Sequence, residues 1–466
     1  MPFPGNRARN GEYGGMAAFP PGPGPLAAFR GMVPGRDMNR IPEFFRDVTA
    51  RYGPIASFRL GRRRFYFVND PAAIEELLVG NPRAYVKGRG TQRLERLLGT
   101  GLLTSNGELH LRQRRLVQPA FHRERIAGYA ATMVARAERC AGAIALGRPL
   151  DMGAEMSRLT LGIAAETLFG ADVDREAERI GAALDEAMSS FPLAISPLGE
   201  LLDHLPMIPV VRRFRAARAA LDAVVYRMIA RRRERRIAGA AEGPPDVLGM
   251  LLDAADAEGG MPTEQIRDEA LTLLLAGHET TANALTWTWL LLARYPAVET
   301  RLQAELERVL GGRAPAMEDL PALEFARDVI AEAMRLYPPA WVVGRRAVEP
   351  AALGGWTVPT DGVVLACQWV THRDPRFWND PEAFRPERWS NGETAALPKF
   401  AYFPFGGGNR LCIGEAFAWT ETVLVLATIA RRLRFHAAPD LGVVAAEPLV
   451  TLRPAAPVRM IAEPVA

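Results

Sequence analysis

One cysteine of the sequence stands where a metal ligand or a nucleophile would. Cys412 lies near the end of a glycine-rich stretch, residues 405–414 (FGGGNRLCIG), and a helical pattern follows it through Ala430. Free N–H groups in the first turn of a helix stabilise a thiolate, and glycines let the backbone lie close against a flat ligand. The sequence therefore predicts a thiolate at Cys412, with the Arg410 guanidinium nearby and suited to an anionic prosthetic group.

The same stretch admits other interpretations. It lacks the Gly-Lys-Ser/Thr of a phosphate-binding loop and has no complete Gly-x-Gly-x-x-Gly after a clear strand. A cysteine nucleophile needs a base, and a histidine from anywhere in the fold would serve, so this alternative stays open. On this stretch alone, a buried structural cysteine in a glycine turn is equally acceptable.

Residues 276–281 (AGHETT) form a second candidate site, inside a long helical pattern. Glycine and β-branched residues lower helix propensity, and a threonine hydroxyl can bond the carbonyl one turn back, so we expect a small polar notch in an apolar wall. The Glu279 carboxyl beside the Thr280 hydroxyl would deliver protons there. A zinc-protease helix is excluded because Ala282 occupies the place of the second histidine in His-Glu-x-x-His. A distorted core helix with Glu279 in a salt bridge remains an alternative.

A third pattern pairs opposite charges. Glu332 and Arg335 are three residues apart, which places them on one face of a helix. Most such pairs are exposed salt bridges of little consequence, so this one matters only if it is buried. Arg388, in the stretch 386–389 (PERW), would supply a second guanidinium.

These motifs, in this order and at these separations, resemble the cytochrome P450 family of haem-thiolate monooxygenases. Residues 405–414 agree with the family pattern Phe-x-x-Gly-x-Arg-x-Cys-x-Gly at every fixed position. The resemblance covers essentially the whole chain after a proline-rich start. It implies a mainly α cytochrome P450 fold, with a large helical body, a smaller β-rich region, and haem buried between the long central helix and the cysteine loop.

The resemblance also implies roles for individual residues. Cys412 would be the metal ligand, the proximal thiolate of haem b iron, and would donate electron density that favours O–O cleavage. Thr280 and Glu279 would relay protons during oxygen activation. The other expected cofactor contacts are Phe405 of the cysteine loop, Ala276 and Gly277 along the oxygen groove, and the propionate-binding Arg410, His110, Arg114 and Arg345.

One of these positions departs from the family pattern, and another has a rival beside it. His110 stands four residues before Arg114, at a position where the family often has tryptophan, and Arg346 is a close rival of Arg345. The charged set Glu332, Arg335 and Arg388 matches the family's buried triad, which has a structural role.

The resemblance implies a monooxygenase that inserts one oxygen atom from O2 into a hydrophobic small molecule, such as a fatty acid, a terpene or a steroid. Few residues follow Cys412, so we expect electrons from a separate ferredoxin or flavodoxin with its NAD(P)H reductase, docking near Arg112, Arg115 and Arg123. Two alternatives remain. A peroxide-dependent or isomerising haem-thiolate enzyme would not need the Glu279–Thr280 pair, and a haem-binding sensor would not need a sizeable substrate cavity.

Composition agrees with a large soluble globular protein. The 466 residues are 48% hydrophobic and 24% charged, and the net charge of +4 is too small to indicate a nucleic-acid partner. Three cysteines are too few and too scattered for a disulfide framework. No signal pattern begins the chain, and uninterrupted apolar runs fall short of the roughly 20 residues that span a bilayer, so we expect a cytoplasmic protein without a membrane span.

The elements that must position these residues are mostly helical. The longest predicted helix lies between Pro262 and Pro296, with Thr263 as its cap. Alternating apolar residues predict a β-hairpin over 55–68 and a β-rich region over 341–366, and proline breaks make residues 190–211 a candidate lid. Residues 1–34 are expected to form a Pro/Gly-rich arm, and residues 35–466 a single catalytic domain.

Overall fold

Residues 19–32, 40–173, 176–189, 207–239, 246–256 and 260–465 are described in this computed structural model of the chain. Within these ranges the protein is mainly helical, as predicted. The helices, in chain order, are α1 (Pro25–Met32), α2 (Ile41–Tyr52), α3 (Pro71–Glu75), α4 (Arg89–Arg93), α5 (Glu95–Leu98), α6 (Gly107–Val117), α7 (Arg123–Ala143), α8 (Met152–Phe169), α9 (Ala177–Ser189), α10 (Pro209–Ile237), α11 (Val247–Asp256), α12 (Thr263–Arg294), α13 (Pro296–Leu310), α14 (Glu324–Leu336), α15 (Gln368–Thr371), α16 (Glu387–Ser390) and α17 (Glu415–Ala430).

Short strands complete the fold. They are β1 (Ile55–Leu60), β2 (Arg63–Val68), β3 (Tyr85–Lys87), β4 (Pro149–Asp151), β5 (Val343–Ala347), β6 (Ala351–Leu353), β7 (Trp356–Val358), β8 (Val363–Ala366), β9 (Leu433–Ala437), β10 (Ala446–Pro448), β11 (Leu452–Pro454) and β12 (Arg459–Pro464). The largest sheet has five strands in the order β1-β2-β8-β5-β3. The predicted hairpin over 55–68 and the β-rich region over 341–366 are therefore confirmed, and both contribute to this sheet.

Helix α12 is the predicted long helix, and it runs for 32 residues without a break. Its length is about 48 Å at roughly 1.5 Å per residue, so it reaches across the body of the protein. It packs along α8 and also contacts α10, α14 and α17. The expected cap is wrong: Pro262 occupies the N-cap position, and the Thr263 hydroxyl instead accepts a hydrogen bond from Arg233 at 3.1 Å.

The proline-rich segment before α1 lies against strand β1. The Ser57 N–H donates to the Pro21 carbonyl at 3.0 Å, and the Ser57 hydroxyl donates to the Pro20 carbonyl at 2.7 Å. Residues 19–24 are not helical, as their prolines and glycines predict. Pro25, however, begins α1, because proline is compatible with the first position of a helix and its missing N–H costs nothing there.

The apolar core is centred on the longest helices. Leucine, alanine and valine side chains of α7, α8, α12, α14 and α17 pack together in one cluster. Two smaller clusters lie against the five-stranded sheet. Among the helices of the described ranges, none is both long enough and apolar enough to cross a membrane.

Candidate active site

The cysteine loop owes its shape to two glycines with left-handed backbone. Gly406 has φ 75° and Gly408 has φ 67°, a region that residues with a side chain rarely adopt. A Cβ on Gly408 would also lie 1.9 Å from the Leu78 carbonyl oxygen, so only glycine fits there. The loop then closes on itself, because the Cys412 N–H donates to the Phe405 carbonyl at 3.0 Å. These contacts fix Cys412 just before α17.

The Cys412 side chain is accessible to solvent although protein atoms surround it closely. A residue that is both accessible and enclosed lines a cavity. Burial raises the pKa of the Cys412 thiol to about 11, which outweighs the lowering by the Gly414 backbone N–H and by Arg114. The sequence prediction that the start of the helix would activate this sulfur on its own is therefore wrong, because desolvation opposes the thiolate more strongly than the helix favours it.

The predicted cationic residues come together near this loop. Arg410 donates to the Ser105 carbonyl at 3.0 Å, and Arg114 donates to the Leu411 carbonyl at 2.9 Å. Burial, and next the neighbouring Arg410, lower the pKa of Arg345 to about 10. The same two causes are the largest of those that lower the pKa of the buried His110 to about 3. The guanidiniums repel one another, and we call Arg410, Arg114 and Arg345, together with the adjoining His110 and Lys87, the cation cluster.

Lys87 belongs to this cluster, although it was not among the residues expected from the sequence. Its ammonium donates to the carbonyls of Leu102, at 2.8 Å, and Leu103. Burial first, and then Arg410 and Arg345, lower its pKa to about 6. Lys87 pairs directly with Arg345 across strands β3 and β5. Like charges opposite each other destabilise a sheet, so this pairing indicates a role other than stability. Its one sequence signal is that the chain has a single other lysine, Lys399.

No carboxylate of the described ranges forms an ion pair with any member of the cation cluster. Arg346, the rival of Arg345, is different: it pairs with Asp361 at 2.8 Å. A buried group of cations without counter-charge is costly unless an anion occupies the space they share. This donor set, one cysteine sulfur beside several unpaired cations, fits haem, whose iron takes a thiolate and whose propionates are anionic.

The middle of α12 forms the other part of the site. Most of this helix is buried, yet Ala276 is exposed and Gly277, Glu279 and Thr280 are partly accessible. The Thr280 hydroxyl donates to the Ala276 carbonyl at 2.7 Å, as the sequence predicts. The helix stays continuous through these residues, so the alternative of a distorted core helix is not supported. The result is a local opening in an otherwise apolar wall.

The Glu279 carboxyl is not hydrogen-bonded to its neighbour Thr280. It accepts instead from the Thr451 hydroxyl at 2.6 Å, and Asn283 donates to the same hydroxyl oxygen at 3.1 Å. Burial raises the pKa of Glu279, while Thr451 and Arg453 lower it and Asp185 raises it. Glu279 is thus a desolvated acid with a defined partner, and Thr451, 172 residues further along the chain, is a contact that the sequence did not indicate.

The charged set Glu332, Arg335 and Arg388 is completely buried. Glu332 bonds Arg335 at 2.8 Å and Arg388 at 2.9 Å, and it accepts from the Trp389 indole N–H at 3.0 Å. The Arg335 guanidinium also donates to the carbonyls of His372, Pro381 and Ala383. This set therefore ties α14 to the chain that leads into α16, and it does not line the opening in α12.

A separate cavity of about 160 Å³ lies between the end of α8 and helix α10. Phe169, Val224, Met228 and several arginines line it. It contains none of the predicted site residues, and no residue of the cysteine loop or of α12 borders it. This cavity is therefore not formed by the residues that the sequence predicts for the chemistry.

Comparisons with known proteins agree with this geometry. The family model for cytochrome P450 matches residues 20–458. Cyclooctatin synthase of Streptomyces melanosporofaciens is 40% identical over 438 residues, which is 92% of each chain. Cyclooctat-9-en-7-ol 5-monooxygenase of the same organism is 39% identical over 398 residues, 83% of this chain and 84% of that one. Pentalenene oxygenase of Streptomyces avermitilis is 32% identical over 409 residues, 87% of this chain and 89% of that one.

Proposed function

The chain belongs to the cytochrome P450 family and is a haem-dependent monooxygenase, and we propose that haem b is its cofactor and a terpene its substrate. The observation that carries the proposal is the cation cluster beside Cys412. A single sulfur ligand with unpaired cations nearby suits an iron porphyrin with free propionates. When bound, haem supplies the activation of O2, which a thiolate ligand favours.

The side chains of the cation cluster have a common task. Arg410, Arg345 and Arg114 would each donate N–H groups to a propionate, a pairing that suits the planar guanidinium. His110, which is neutral because burial and the surrounding cations lower its pKa to about 3, would donate a single N–H without adding charge. An anion among these groups would oppose the repulsion that adds to burial in lowering the pKa of Lys87, and it would favour the charged form of Lys87.

The residues of α12 have a different task, the supply of protons and space. Ala276 and Gly277 have the smallest side chains and leave room for O2 at the opening in the helix. The Thr280 hydroxyl, held by the Ala276 carbonyl, would position a proton for oxygen activation. Glu279, whose pKa burial raises, would carry that proton from the interior of the protein.

A terpene needs an apolar site, and we propose that three valine side chains contribute to its walls. Val342 and Val343, after α14, and Val450, in the β10–β11 turn, are partly accessible apolar side chains. Apolar walls with few polar groups are typical of sites for hydrophobic ligands. Two of the relatives, cyclooctat-9-en-7-ol 5-monooxygenase and pentalenene oxygenase, act on terpenes, which favours this class over fatty acids and steroids. Of the expected lid, residues 190–206 lie outside the described ranges.

Electrons are proposed to come from a ferredoxin or flavodoxin. Arg112 and Arg115, on α6, and Arg123, at the start of α7, are exposed. Their neighbour Arg114 contacts the cysteine loop, so the part of α6 that carries Arg112 and Arg115 passes close to this loop. An acidic partner would be attracted to this basic surface and would bind close to the cofactor.

The first test is a spectrum of the reduced protein with carbon monoxide. We expect wild-type protein and the control variant Cys140→Ser to give the spectrum of a thiolate-ligated haem, and Cys412→His to lose it, because imidazole replaces the thiolate. Cys140 is a suitable control because it is partly buried among helices α7 and α8, away from the cysteine loop. A thiolate spectrum in Cys412→His would contradict the assignment.

The second part of the test concerns substrate and electrons. Terpenes, fatty acids and steroids are added to the oxidised protein, and binding is read from the change in the haem spectrum when the ligand displaces water. We expect terpenes to bind, and we expect products carrying one atom from O2 with ferredoxin and its reductase. Turnover with hydrogen peroxide alone would indicate the peroxide-dependent alternative, and no turnover with either would indicate a sensor.

A further inference from the structure

The turn between strands β10 and β11 lies directly against helix α12. Trp287 of α12 donates its indole N–H to the Leu452 carbonyl at 3.3 Å, and the Leu452 N–H donates to the Pro339 carbonyl at 2.9 Å. These bonds fix the position of Thr451, which is buried and precedes Leu452 in this turn. The Thr451 side chain therefore has a fixed place beside the opening in α12.

A short chain of hydrogen bonds joins Thr451 to two residues of α12. Asn283 and Glu279 are one turn apart, and both reach the Thr451 hydroxyl, at 3.1 and 2.6 Å. An amide NH2 group only donates, so Asn283 uses a lone pair of the hydroxyl oxygen. The single Thr451 proton is then free to point at the Glu279 carboxyl, which accepts it. The direction of the bond is set by Asn283.

Charged groups face Glu279 from two further elements. Arg453, on β11, pairs with Asp185 of α9 at 3.1 Å and with Glu447 of β10 at 2.9 Å. Among them, Arg453 favours the ionised form of Glu279 and Asp185 opposes it. Arg453 is already shared between two carboxylates, so Thr451 is the direct hydrogen-bond partner of Glu279 in the described ranges.

We propose that Thr451 is a positioning residue that holds the Glu279 carboxyl in one orientation through its hydroxyl. The inference rests on the proposed function, in which Glu279 carries protons for oxygen activation. Adjacent residues of a helix point in different directions, so Glu279 does not contact Thr280 by sequence proximity alone. The β10–β11 turn thus determines from which side the acid takes and releases its proton.

The experiment measures the protonation of Glu279 in the haem-loaded protein without turnover. Infrared spectra at a series of pH values record the C=O band of protonated carboxyl groups, and the band missing in Glu279→Gln is assigned to Glu279. Thr451→Val removes the hydroxyl and keeps the shape, whereas Thr451→Ser keeps the hydroxyl. Thr451→Ala repeats the test with a smaller side chain if valine prevents folding.

We expect Thr451→Val to shift the titration of Glu279 upward by about one pH unit, a tenfold change in proton affinity, because the carboxylate loses a hydrogen bond. Thr451→Ser should titrate close to the wild-type pH. An unchanged titration in folded Thr451→Val, or an equal shift in Thr451→Ser, would overturn the proposal.

Failure of the proposed function gives a different result. If wild-type protein lacks the thiolate-type carbon monoxide spectrum, the proposed function fails and so does the inference that rests on it. If wild-type protein and all variants give that spectrum, the infrared titration alone decides the role of Thr451. A second measurement is the ratio of hydrogen peroxide formed to NAD(P)H consumed, which should rise in Thr451→Val and not in Thr451→Ser.

Discussion

Lys87 and Arg345 face each other across strands β3 and β5, and this pairing of like charges destabilises the sheet. Neither side chain forms an ion pair with a carboxylate in the described part of the chain, although the buried Glu269 attracts Lys87, and burial disfavours both charges. The desolvation of a cation is unfavourable unless an anion compensates it. An anionic group of the cofactor would supply the counter-charge for both side chains.

Replacement of Lys87 by methionine tests this explanation. We expect Lys87→Met to lose haem about ten times faster than wild-type protein to an excess of a haem-scavenging protein, because one charge-assisted bond worth about 1.5 kcal/mol is removed. Lys399→Met is the matched control, since Lys399 is the other lysine of the sequence and is exposed. Equal rates in the two variants would remove Lys87 from the cofactor site.

Single residues also mark the limit of what the sequence predicts. The cysteine loop and the AGHETT segment are local patterns, so their residues and the Thr280 bond to Ala276 were predictable. The positions of Lys87 and Thr451 depend on strand register and on a turn far along the chain, which no local pattern encodes. The pKa of Cys412 was mispredicted for a similar reason, since burial depends on the whole fold.

At the scale of elements, helix α14 is fixed by the buried set of Glu332, Arg335 and Arg388. The sequence alone could not distinguish this set from an exposed pair, because three-residue spacing is common to both. Burial decides the matter: Glu332 and Arg335 are 0% exposed and Arg388 is 1% exposed. Each guanidinium also donates to backbone carbonyls between α15 and α16. Loss of one charge leaves the others buried without compensation.

Glu332→Gln should accordingly lower the free energy of unfolding by about 3–5 kcal/mol, measured by urea unfolding of the haem-loaded protein. Glu155→Gln is the matched control, because Glu155 and Arg158 have the same spacing and a 2.8 Å contact, but Arg158 is exposed and Glu155 is only partly buried. The control should change the free energy by about 0–1 kcal/mol. A small effect of Glu332→Gln would mean that the buried set does not stabilise α14.

Helix boundaries were largely predictable, and the exceptions have physical reasons. The prolines at 262 and 296 bracket α12, which begins at Thr263 and ends at Arg294. Thr263 was expected to cap this helix, yet its hydroxyl is engaged by Arg233 of α10, a tertiary contact. Proline at residue 25 was expected to prevent a helix, yet proline at the first position is compatible with one.

At the scale of the whole molecule, the exposed arginines of α6 belong to a helix that contacts the cysteine loop. The exposed Arg112 and Arg115 lie on either side of Arg114, which contacts this loop. A net charge of +4 is small, so long-range attraction depends on where the charges lie more than on their sum. The proposed electron donor would be guided to these arginines by its own acidic residues.

Reversal of these charges should slow reduction of the haem by the donor. We expect the double variant Arg112→Glu/Arg115→Glu to be reduced at least ten times more slowly at low ionic strength, measured by stopped-flow spectroscopy. The difference should shrink at high salt, because the Debye length falls to about 3 Å at 1 M. Arg62→Glu, in the β1–β2 turn, is the control for a change of charge elsewhere. Equal slowing in the control would exclude a specific docking surface.

The contact between residues 19–24 and strand β1 has a consequence for the handling of this protein. Strand β1 is the outer strand of the five-stranded sheet, and the Ser57 N–H on its free side is bonded to Pro21. An outer strand with free backbone N–H and C=O groups can pair with other chains, whereas a proline-rich segment cannot extend the sheet further. Proteolytic removal of residues 19–24 would therefore expose the edge of β1, and the shortened protein would self-associate whereas the intact chain would not.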